Sequence, residues 1–482
     1  MAFRDLRDYI AFLSRRGELK RVRVPVSREL EITEIADRVV KRGGPALLFE
    51  CVEGYSVPVL INMFGTEART AAALGVDRLD ELGERIANYL DLAQGPLPAK
   101  VFDKLKLLGQ LAEFASFAPK VSENPPCQQV VLDPPTLAPF PILKCWPQDG
   151  GPFITLPLVV TRDPATGQRN VGMYRLQVYD ERTTGMHWHL HKDGAQHYRH
   201  SEAEARRLPV AVALGADPAT IYAASAPLPP GIDEFLFAGF VRKERVELAR
   251  CKTVDLEVPA HSEIVLEGYV DPGERRREGP FGDHTGYYSP ADDYPVFHLT
   301  CVTHRREPIY PATIVGRPVM EDYYLGKATE RLFLPLIKLM APEVVDIAMP
   351  AEGVFHNLVV VSIRKHYPGQ ARKVMYALWG LMLMALSKTI VVVDADVDVH
   401  NPSEVAWRAL NNVEPRRDLV QAEGPLDALD HASPQAHYGG KLGIDATRKG
   451  SDDGHPRLWP DDIVMDPNIV RLVDGKWAEL GL

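Results

Sequence analysis

Two carboxylates and a histidine stand between glycines and prolines in the segment Glu278–Pro290, whose sequence is Glu-Gly-Pro-Phe-Gly-Asp-His-Thr-Gly-Tyr-Tyr-Ser-Pro. Glycine and proline at this density interrupt helices and long strands, so we expect Glu278, Asp283 and His284 to lie on a shaped loop. Loops of this kind carry chemistry more often than core packing does. Taken alone, however, the segment is also typical of a solvated turn.

Arg175 follows the apolar pattern Val-Gly-Met-Tyr, and a buried guanidinium needs an anionic partner. Glu278 and Asp283 are the candidate partners. An arginine between two acids would hold one carboxylate ionised and leave the other able to carry a proton, which is the split in pKa that acid/base catalysis uses. The alternative is an ordinary buried ion-pair network.

His187, His189 and His191 occupy every second position of one short stretch. A strand would place all three on one face, which suits metal or phosphate binding, although a polar strand face is the commoner explanation. Asn170 offers a carbonyl oxygen and Glu234 a carboxylate. Together with a histidine they form a mixed oxygen and nitrogen set suited to Mn²⁺ or Mg²⁺ more than to structural zinc.

The composition is that of an ordinary globular protein, with 482 residues, 45% hydrophobic, 25% charged and a net charge of -10. The acidic balance argues against a general nucleic-acid surface. Five widely spaced cysteines without a CxxC pair indicate reduced thiols and a cytoplasmic location. The most apolar window, 377–386, is about half the length of a membrane span, so we expect at most transient membrane contact.

Helix and strand patterns alternate over residues 1–117, which predicts an N-terminal α/β domain. Residues 118–309 contain many short strands separated by proline-rich turns, and they predict an all-β domain, with a barrel as the expected form. Residues 310–465 form a second α/β pattern. The patterns also predict a strand over 186–191 and helices over 105–117 and 371–386. Residues 466–482 predict an amphipathic helix that has to bury its apolar face on its own domain or on a partner subunit.

Several stretches resemble the UbiD family of reversible aromatic and acrylic acid decarboxylases, in the family's order and spacing. They are Asn170-x-Gly-x-Tyr-Arg175, His191-Lys-Asp-Gly194, Glu234-x-x-Phe-Ala-Gly239, Glu278-Gly-Pro-Phe-Gly-Asp283 and Lys388 before Val391-Val-Val-Asp394. The similarity runs through essentially the whole chain. Because several separate motifs agree, the resemblance is much more specific than any one of them would be.

The resemblance implies prenylated FMN as the cofactor, made by a separate flavin prenyltransferase and held through Mn²⁺ or Mg²⁺ and a K⁺ ion. Residue matches imply the metal ligands Asn170, His191 and Glu234, the phosphate contact Lys388, the flavin contacts Gly172 and Met173, and the catalytic network Arg175, Glu278 and Asp283. Within that network, protonated Asp283 would deliver a proton to the carbon that loses CO₂. Some family branches have glutamate at this position, and aspartate is one methylene shorter.

The resemblance also implies the architecture. The family's middle domain is a flavin-reductase-like split β-barrel between two α/β domains, and the C-terminal α/β domain closes over the flavin. The family's terminal helix helps to form homodimers or homohexamers, which favours docking of residues 466–482 on a partner subunit.

The implied activity is that of a carboxy-lyase that removes CO₂ from an aromatic acid through a covalent adduct with prenylated FMN. The chain is most similar to members assigned to menaquinone biosynthesis, so a hydroxynaphthoate-type acid is the first choice of substrate. A 4-hydroxy-3-polyprenylbenzoate of ubiquinone biosynthesis is the second choice, and a small phenolic or heteroaromatic acid is the third. An FMN-binding oxidoreductase is the alternative from another class, but it leaves Arg175, Glu278 and Asp283 together without a role.

Overall fold

The structure is a computed structural model that describes residues 2–94, 113–189, 192–229 and 231–481. Most of the helix expected over 105–117 lies outside these residues, and so does His191. No helix within the described ranges is long and apolar enough to cross a membrane.

The N-terminal part packs helices against a small sheet. The helices are Leu6–Arg15, Glu31–Val40, Glu67–Ala73 and Asp80–Gln94. The strands are β1 (Leu19–Val22), β2 (Ala46–Phe49) and β3 (Val59–Ile61). Apolar residues at helical spacing, Leu6, Ile10 and Leu13, are buried as the sequence predicts. The side chain of Asp5 caps this first helix by accepting the backbone N–H of Asp8.

The middle part is rich in strands, as its turn-rich sequence predicts. They are β4 (Lys120–Val121), β5 (Val130–Leu132), β6 (Phe153–Ile154), β7 (Leu158–Arg162), β8 (Arg169–Gly172), β9 (Leu176–Gln177), β10 (Thr183–Gly185), β11 (Leu208–Leu214), β12 (Glu247–Arg250), β13 (Glu257–Pro259), β14 (Ile264–Glu278), β15 (Phe281–Gly282), β16 (Tyr288–Ser289), β17 (Asp292–His304) and β18 (Tyr310–Pro311). Three helices lie among them, Asp193–Ala203, Pro218–Ala223 and Glu234–Arg242.

An antiparallel sheet with the order β10-β17-β14-β11-β7-β8 forms the centre of the molecule, with β5 added beside β17. Both faces of this sheet are covered, because Ala211 and Ala213 of β11 belong to one hydrophobic core and Val210 and Val212 to another. In this strand order β10 and β8 are the two edge strands, so strand pairing within the described chain does not close the sheet into a barrel. The split barrel therefore stays a prediction. β18 pairs with β3 and thereby joins the N-terminal sheet, although it lies beyond the expected domain limit at residue 309.

The C-terminal part contains a five-stranded sheet with the order β19-β20-β21-β23-β22. Its strands are β19 (Val344–Ala348), β20 (Leu358–Ile363), β21 (Thr389–Asp394), β22 (Leu419–Pro425) and β23 (Tyr438–Asp445). The three central strands run parallel, and β19 and β22 are antiparallel edges. Its helices are Glu321–Met340, Gln370–Trp379, Pro402–Asn412 and Pro415–Asp418. The helix expected over 371–386 therefore ends at Trp379, and a 3₁₀ turn, Met382–Leu386, follows it.

The chain ends in two short helices, Pro467–Asp474 and Trp477–Leu480, instead of the single helix that the stripe predicts. Asp466 caps the first of them by accepting the N–H of Asn468. The apolar side chains of both helices are exposed, and no residue of either helix is buried. Within the part of the chain that the structure describes, neither helix buries its apolar face.

Candidate active site

Arg175 is the centre of a buried charge cluster. Its Nε donates to Oε1 of Glu278 over 3.1 Å, its Nη1 donates to Oδ2 of Asp283, and its Nη2 donates to Oγ of Ser289 over 3.1 Å. The guanidinium also lies over the ring of Phe281, 4.4 Å from its centroid. The side chains of Arg175, Glu278 and Asp283 are 11%, 0% and 8% exposed, so water screens these charges little.

Local structure explains how three distant residues meet. Arg175 lies in the short break between β8 and β9, Glu278 is the last residue of the long strand β14, and Asp283 follows β15. Glu278 is thus a strand residue and not the loop residue that the glycines around it predict. The turn between β15 and β16 reverses the chain and returns Ser289 to Arg175.

Both acids are held ionised. Burial opposes ionisation of Glu278, but hydrogen bonds and charges from His187 and Arg175 outweigh it and keep the pKa of Glu278 below its usual value. For Asp283, burial is likewise outweighed, here by His284 and Arg175, and the pKa of Asp283 falls far below its usual value. The expected split, with one acid ionised and the other able to carry a proton, therefore does not follow from Arg175 alone, since Arg175 contacts both.

Two histidine pairs extend the cluster. Nδ1 of His187 lies 2.8 Å from Oε1 of Glu278, and its Nε2 lies 3.0 Å from Nε2 of His189. On the other side, Nδ1 of His284 lies 3.0 Å from Oδ1 of Asp283, and its Nε2 lies 3.1 Å from Nε2 of His356. His187 and His189 are close together as the triplet predicts, although β10 ends at Gly185 before reaching them.

A cavity of about 520 Å³ opens beside this cluster, between the central sheet and the C-terminal part. Arg175, Asp283 and the histidines form its polar end. Most of the remaining wall is apolar and consists of Val315, Leu325, Phe333, Leu336, Ile337, Ile347, Met349, Phe355, Leu381, Met384, Leu386 and Leu429. A pocket that is mostly apolar, with a few convergent charged groups, is typical of a site for a small organic acid.

Asp322 and Asp427 also line the cavity, and no motif predicted a role for either carboxylate. Burial raises the pKa of Asp322 to about 6, because the nearby His284 offsets only part of the cost. Asp427 lies 3.8 Å from Nε2 of His356. These residues come from a helix and a loop of the C-terminal part, and only the packing of that part on the central sheet brings them to Asp283.

Asn170 and Glu234 lie on neighbouring elements, the strand β8 and the helix Glu234–Arg242. The amide N–H of Val171, next to Asn170 on β8, donates to Oε2 of Glu234 over 3.1 Å. Glu234 is the first residue of the helix Glu234–Arg242, and the preceding residue, Asp233, bonds to Arg169 of β8 over 2.6 Å. This ion pair fixes the start of the helix against the strand.

The donor set fits a divalent cation. Burial raises the pKa of Glu234 to about 8, and no lysine or arginine of the described chain forms an ion pair with it. A buried carboxylate of this kind is stabilised by a metal ion, and the amide oxygen of Asn170 is a ligand that Mn²⁺ and Mg²⁺ accept. The third expected ligand, His191, lies outside the described residues.

The residues that are expected to contact the cofactor do not all line the cavity. Met173 lines the cavity, and its N–H donates to the carbonyl of Ala224 over 2.9 Å. Gly172 lies under the ring of Tyr174, where a Cβ atom would come within 2.3 Å of the ring. Lys388 does not line the cavity, because its Nζ donates to Oδ2 of Asp430 over 2.6 Å.

Comparison with known proteins agrees with this geometry. Residues 10–86, 119–318 and 323–446 match the N-terminal, Rift-related and C-terminal domains of UbiD, described as 3-octaprenyl-4-hydroxybenzoate carboxy-lyase. An uncharacterised protein of Archaeoglobus fulgidus is 55% identical over 482 residues, which cover 100% of this chain and 99% of that protein.

Two solved structures align over nearly the whole chain. The closed form of vanillic acid decarboxylase from Sedimentibacter hydroxybenzoicus covers 100% of this chain and 99% of its own, with 29% identity and a TM-score of 0.86. An evolved dimeric form of HmfF from Pelotomaculum thermopropionicum, a UbiD-class enzyme in complex with prFMN, covers 97% and 98%, with 30% identity and a TM-score of 0.79.

Fold and site together define a decarboxylase. The chain belongs to the UbiD family. It is a carboxy-lyase, and the enzymes of this family depend on prenylated FMN.

Proposed function

We propose that the protein removes CO₂ from a hydroxynaphthoate-type acid in menaquinone biosynthesis, with prenylated FMN as its cofactor. The observation that carries this proposal is the meeting of Arg175, Glu278 and Asp283 at the polar end of a largely apolar cavity. An apolar wall favours a fused aromatic ring, and the guanidinium of Arg175 offers a cation to the carboxylate of the substrate.

Arg175, Asp283 and the apolar wall have separate roles in the proposed reaction. Arg175 orients the substrate carboxylate and keeps Glu278 ionised. When bound, prenylated FMN supplies the electron sink that an sp² carbanion lacks. Asp283, carrying a proton at that stage, delivers it to the carbon that has lost CO₂. The apolar wall excludes water from the reacting carbon.

Cofactor binding is assigned to a second group of residues. We infer that Asn170, His191 and Glu234 hold Mn²⁺ or Mg²⁺, which together with K⁺ neutralises the cofactor phosphate. The raised pKa of the buried Glu234, which forms no ion pair with a lysine or arginine among the described residues, supports this assignment. Gly172, Met173 and Arg175 are assigned to the flavin face. Lys388 would reach the phosphate after exchanging its present partner, Asp430.

A second substrate class has support of its own. The wall from Phe333 to Leu386 continues the apolar surface away from Arg175, and such a surface would accommodate an isoprenoid chain. A 4-hydroxy-3-polyprenylbenzoate is therefore the second candidate, and a small phenolic or heteroaromatic acid needs less of this wall. The chemistry is reversible, so a high CO₂ pressure would drive carboxylation.

The remaining assignments concern the assembly and its surroundings. We propose that residues 466–482 are an oligomerisation segment of a homodimer or homohexamer, because their apolar side chains lie uncovered in the single chain. We also propose that the chain consists of three domains, which cover residues 1–117, 118–309 and 310–465. We place the protein in the cytoplasm, supplied by a flavin prenyltransferase and in at most transient contact with membranes.

The test is mass spectrometry of the small molecule released by denaturing the protein after co-expression with a flavin prenyltransferase. Release of prenylated FMN, followed by CO₂ loss from a hydroxynaphthoate in preference to vanillic acid and a prenylated hydroxybenzoate, is the expected result. Release of unmodified FMN only, together with no CO₂ loss from any acid, would favour an FMN-binding oxidoreductase and overturn the proposal.

A further inference from the structure

Asp283, His284 and His356 form a hydrogen-bonded row that crosses from the central sheet to the C-terminal domain. Oδ1 of Asp283 lies 3.0 Å from Nδ1 of His284 and also accepts the backbone N–H of His284 over 2.8 Å. Nε2 of His284 lies 3.1 Å from Nε2 of His356. Two ring nitrogens at this distance share one proton, because one of them must donate and the other accept.

The charges around the row decide where the proton lies. Burial would lower the pKa of His284, but the hydrogen bond and charge of Asp283 outweigh it and raise that pKa above its ordinary value. Burial lowers the pKa of His356. His284 is therefore the protonated ring, which donates to Asp283 from Nδ1 and to His356 from Nε2. The other charged and titratable groups that face the row are Arg175, His189, Asp322, Asp427 and Asp430.

The backbone holds His356 in place at some cost. Val354 and Phe355, directly before it, adopt left-handed conformations with φ of 40° and 71°. A β-branched and an aromatic residue rarely occupy this region, and such strain persists where the surroundings impose it. Behind His356, its carbonyl accepts the N–H of Lys388 over 2.7 Å. The strained turn therefore presents a fixed imidazole to His284.

We propose that His284 is the proton reservoir of Asp283, and that His356 of the C-terminal domain keeps His284 protonated by accepting its Nε2–H, so that the catalytic acid is recharged only while that domain is docked. The inference rests on the proposed function. Decarboxylation of a carboxylate consumes one proton for each CO₂, and in this structure Asp283 has none to give without a donor.

The step balances in atoms and electrons. The electron pair of the broken carbon–carbon bond stays on the aromatic carbon and takes the proton of Asp283. Asp283 takes its proton from Nδ1 of His284, whose Nε2–H stays bonded to His356, and water then returns a proton to Nδ1. Both histidines act through Asp283, so they are positioning residues and do not touch the reacting carbon.

The first arm of the test needs no substrate. The imidazole signals of the full chain, labelled with ¹³C-histidine, are titrated by NMR in the wild type, His356→Leu and His356→Gln, with His284→Asn to assign the His284 signal. We expect His284 to hold its proton to a higher pH than an ordinary histidine, to lose it at lower pH in His356→Leu, and to recover in His356→Gln, whose amide oxygen accepts the same hydrogen bond. His366→Gln, an exposed histidine of the same domain, is the matched control.

The second arm measures kcat and KM against pH, with the acid that loses CO₂ in the screen above. His284→Asn should lower kcat by about 100-fold, the lower end of what a positioned proton donor contributes, with KM nearly unchanged and a smaller loss in acid. His356→Leu should move the alkaline fall of kcat to lower pH, and His356→Gln should restore it.

The outcomes separate the two proposals. A His284 signal that titrates below its ordinary value in the wild type, or one that His356→Leu leaves unchanged, overturns the proton reservoir. Equal pH profiles for the wild type and His284→Asn overturn it as well. If no acid loses CO₂ with the wild type, the proposed function fails, and the NMR titration alone then decides whether the proton lies on His284.

Discussion

Arg175 and Glu278 form a buried ion pair, with Nε of Arg175 3.1 Å from Oε1 of Glu278 and the carboxylate fully inaccessible to solvent. The same guanidinium also contacts Asp283. One guanidinium therefore contacts two buried carboxylates. Removing it leaves Glu278 with His187 and Asp283 with His284 as the remaining partners, and a buried carboxylate that loses its arginine is costly to the fold.

Replacing Arg175 should accordingly destabilise the fold as well as abolish activity. We expect Arg175→Gln to lower the free energy of unfolding by about 3 kcal/mol at pH 7. Both acids have folded-state pKa values below their ordinary ones, so their contribution is present above the ordinary values and is lost as the pH falls through the folded ones. The difference from the wild type should therefore shrink in acid.

Urea unfolding at a series of pH values from 7 down to 3 measures this difference. Arg207→Gln is the matched control, because Arg207 pairs with Asp271 at the surface and is 61% exposed. A surface pair of this kind contributes about 1 kcal/mol or less. Equal losses for the two variants at pH 7 would show that the Arg175 cluster does not stabilise the fold.

Asp283 and His191 have separable roles in our proposal. Asp283→Asn should reduce turnover by about 100-fold or more while prenylated FMN stays bound, because only the proton donor is removed. His191→Ala should instead release the cofactor, because it removes a proposed metal ligand. The absorption spectrum of the purified protein reports the bound flavin, and CO₂ release reports turnover. Unchanged turnover in Asp283→Asn would exclude Asp283 as the acid.

Glu234 provides the test of the metal site. Glu234→Gln keeps the shape of the side chain but removes its charge, so the affinity for Mn²⁺ should fall by about 100-fold; even partners of metal ligands contribute 10- to 100-fold. Calorimetric titration with Mn²⁺ alone measures this. Glu257→Gln, which changes a partly exposed glutamate paired with Arg162 and Arg169, should leave the affinity unchanged. Equal affinities in both variants would refute the assignment of Glu234.

Asp322 should make the fold less stable at neutral pH than in acid. Its folded pKa of about 6 lies above the ordinary 3.8, so the folded protein binds the proton more tightly and loses stability as the pH rises from 4 through 6. Asp322→Asn should remove this loss and raise the free energy of unfolding at pH 7 by up to about 3 kcal/mol. Near pH 4 it should match the wild type.

The measurement is urea unfolding of Asp322→Asn and of Asp255→Asn across this pH range. Asp255 is exposed and serves as the control. A stability difference between Asp322→Asn and the wild type that does not change with pH would mean that Asp322 stays ionised throughout.

The terminal helices should hold subunits together. Trp477→Ser combined with Ile469→Ser removes two of the exposed apolar side chains from this segment, and we expect the oligomer to dissociate in light scattering at micromolar concentration. Arg471→Ser, on the same helix, is the control and should keep the assembly intact. An unchanged oligomer in the double variant would place the interface elsewhere.

Sequence alone was sufficient for much of the fold. The helical spacing of Leu6, Ile10 and Leu13 and the apolar runs of β2, β20 and β21 predicted their elements, because burial of a stripe or a strand follows from periodicity. The motifs around Arg175, Asp283 and Glu234 likewise predicted the family, which the domain matches confirm.

Tertiary structure decided the rest. Glycine and proline around Glu278 predicted a loop, yet Glu278 ends the 15-residue strand β14, because pairing with β17 continues up to that residue. The end of β14 and the turn after β15 thereby place the carboxylates of Glu278 and Asp283 beside Arg175.

Only packing brings His356, Asp322 and Asp427 to Asp283. They come from a turn, a helix and a loop far along the chain, and no local spacing connects them. The sequence therefore determined which acids and histidines the site contains. The protonation state of those residues depends on the neighbours that the fold places around them. A pKa depends on the charges and the solvent around a group, and in this protein those surroundings come from residues distant in sequence.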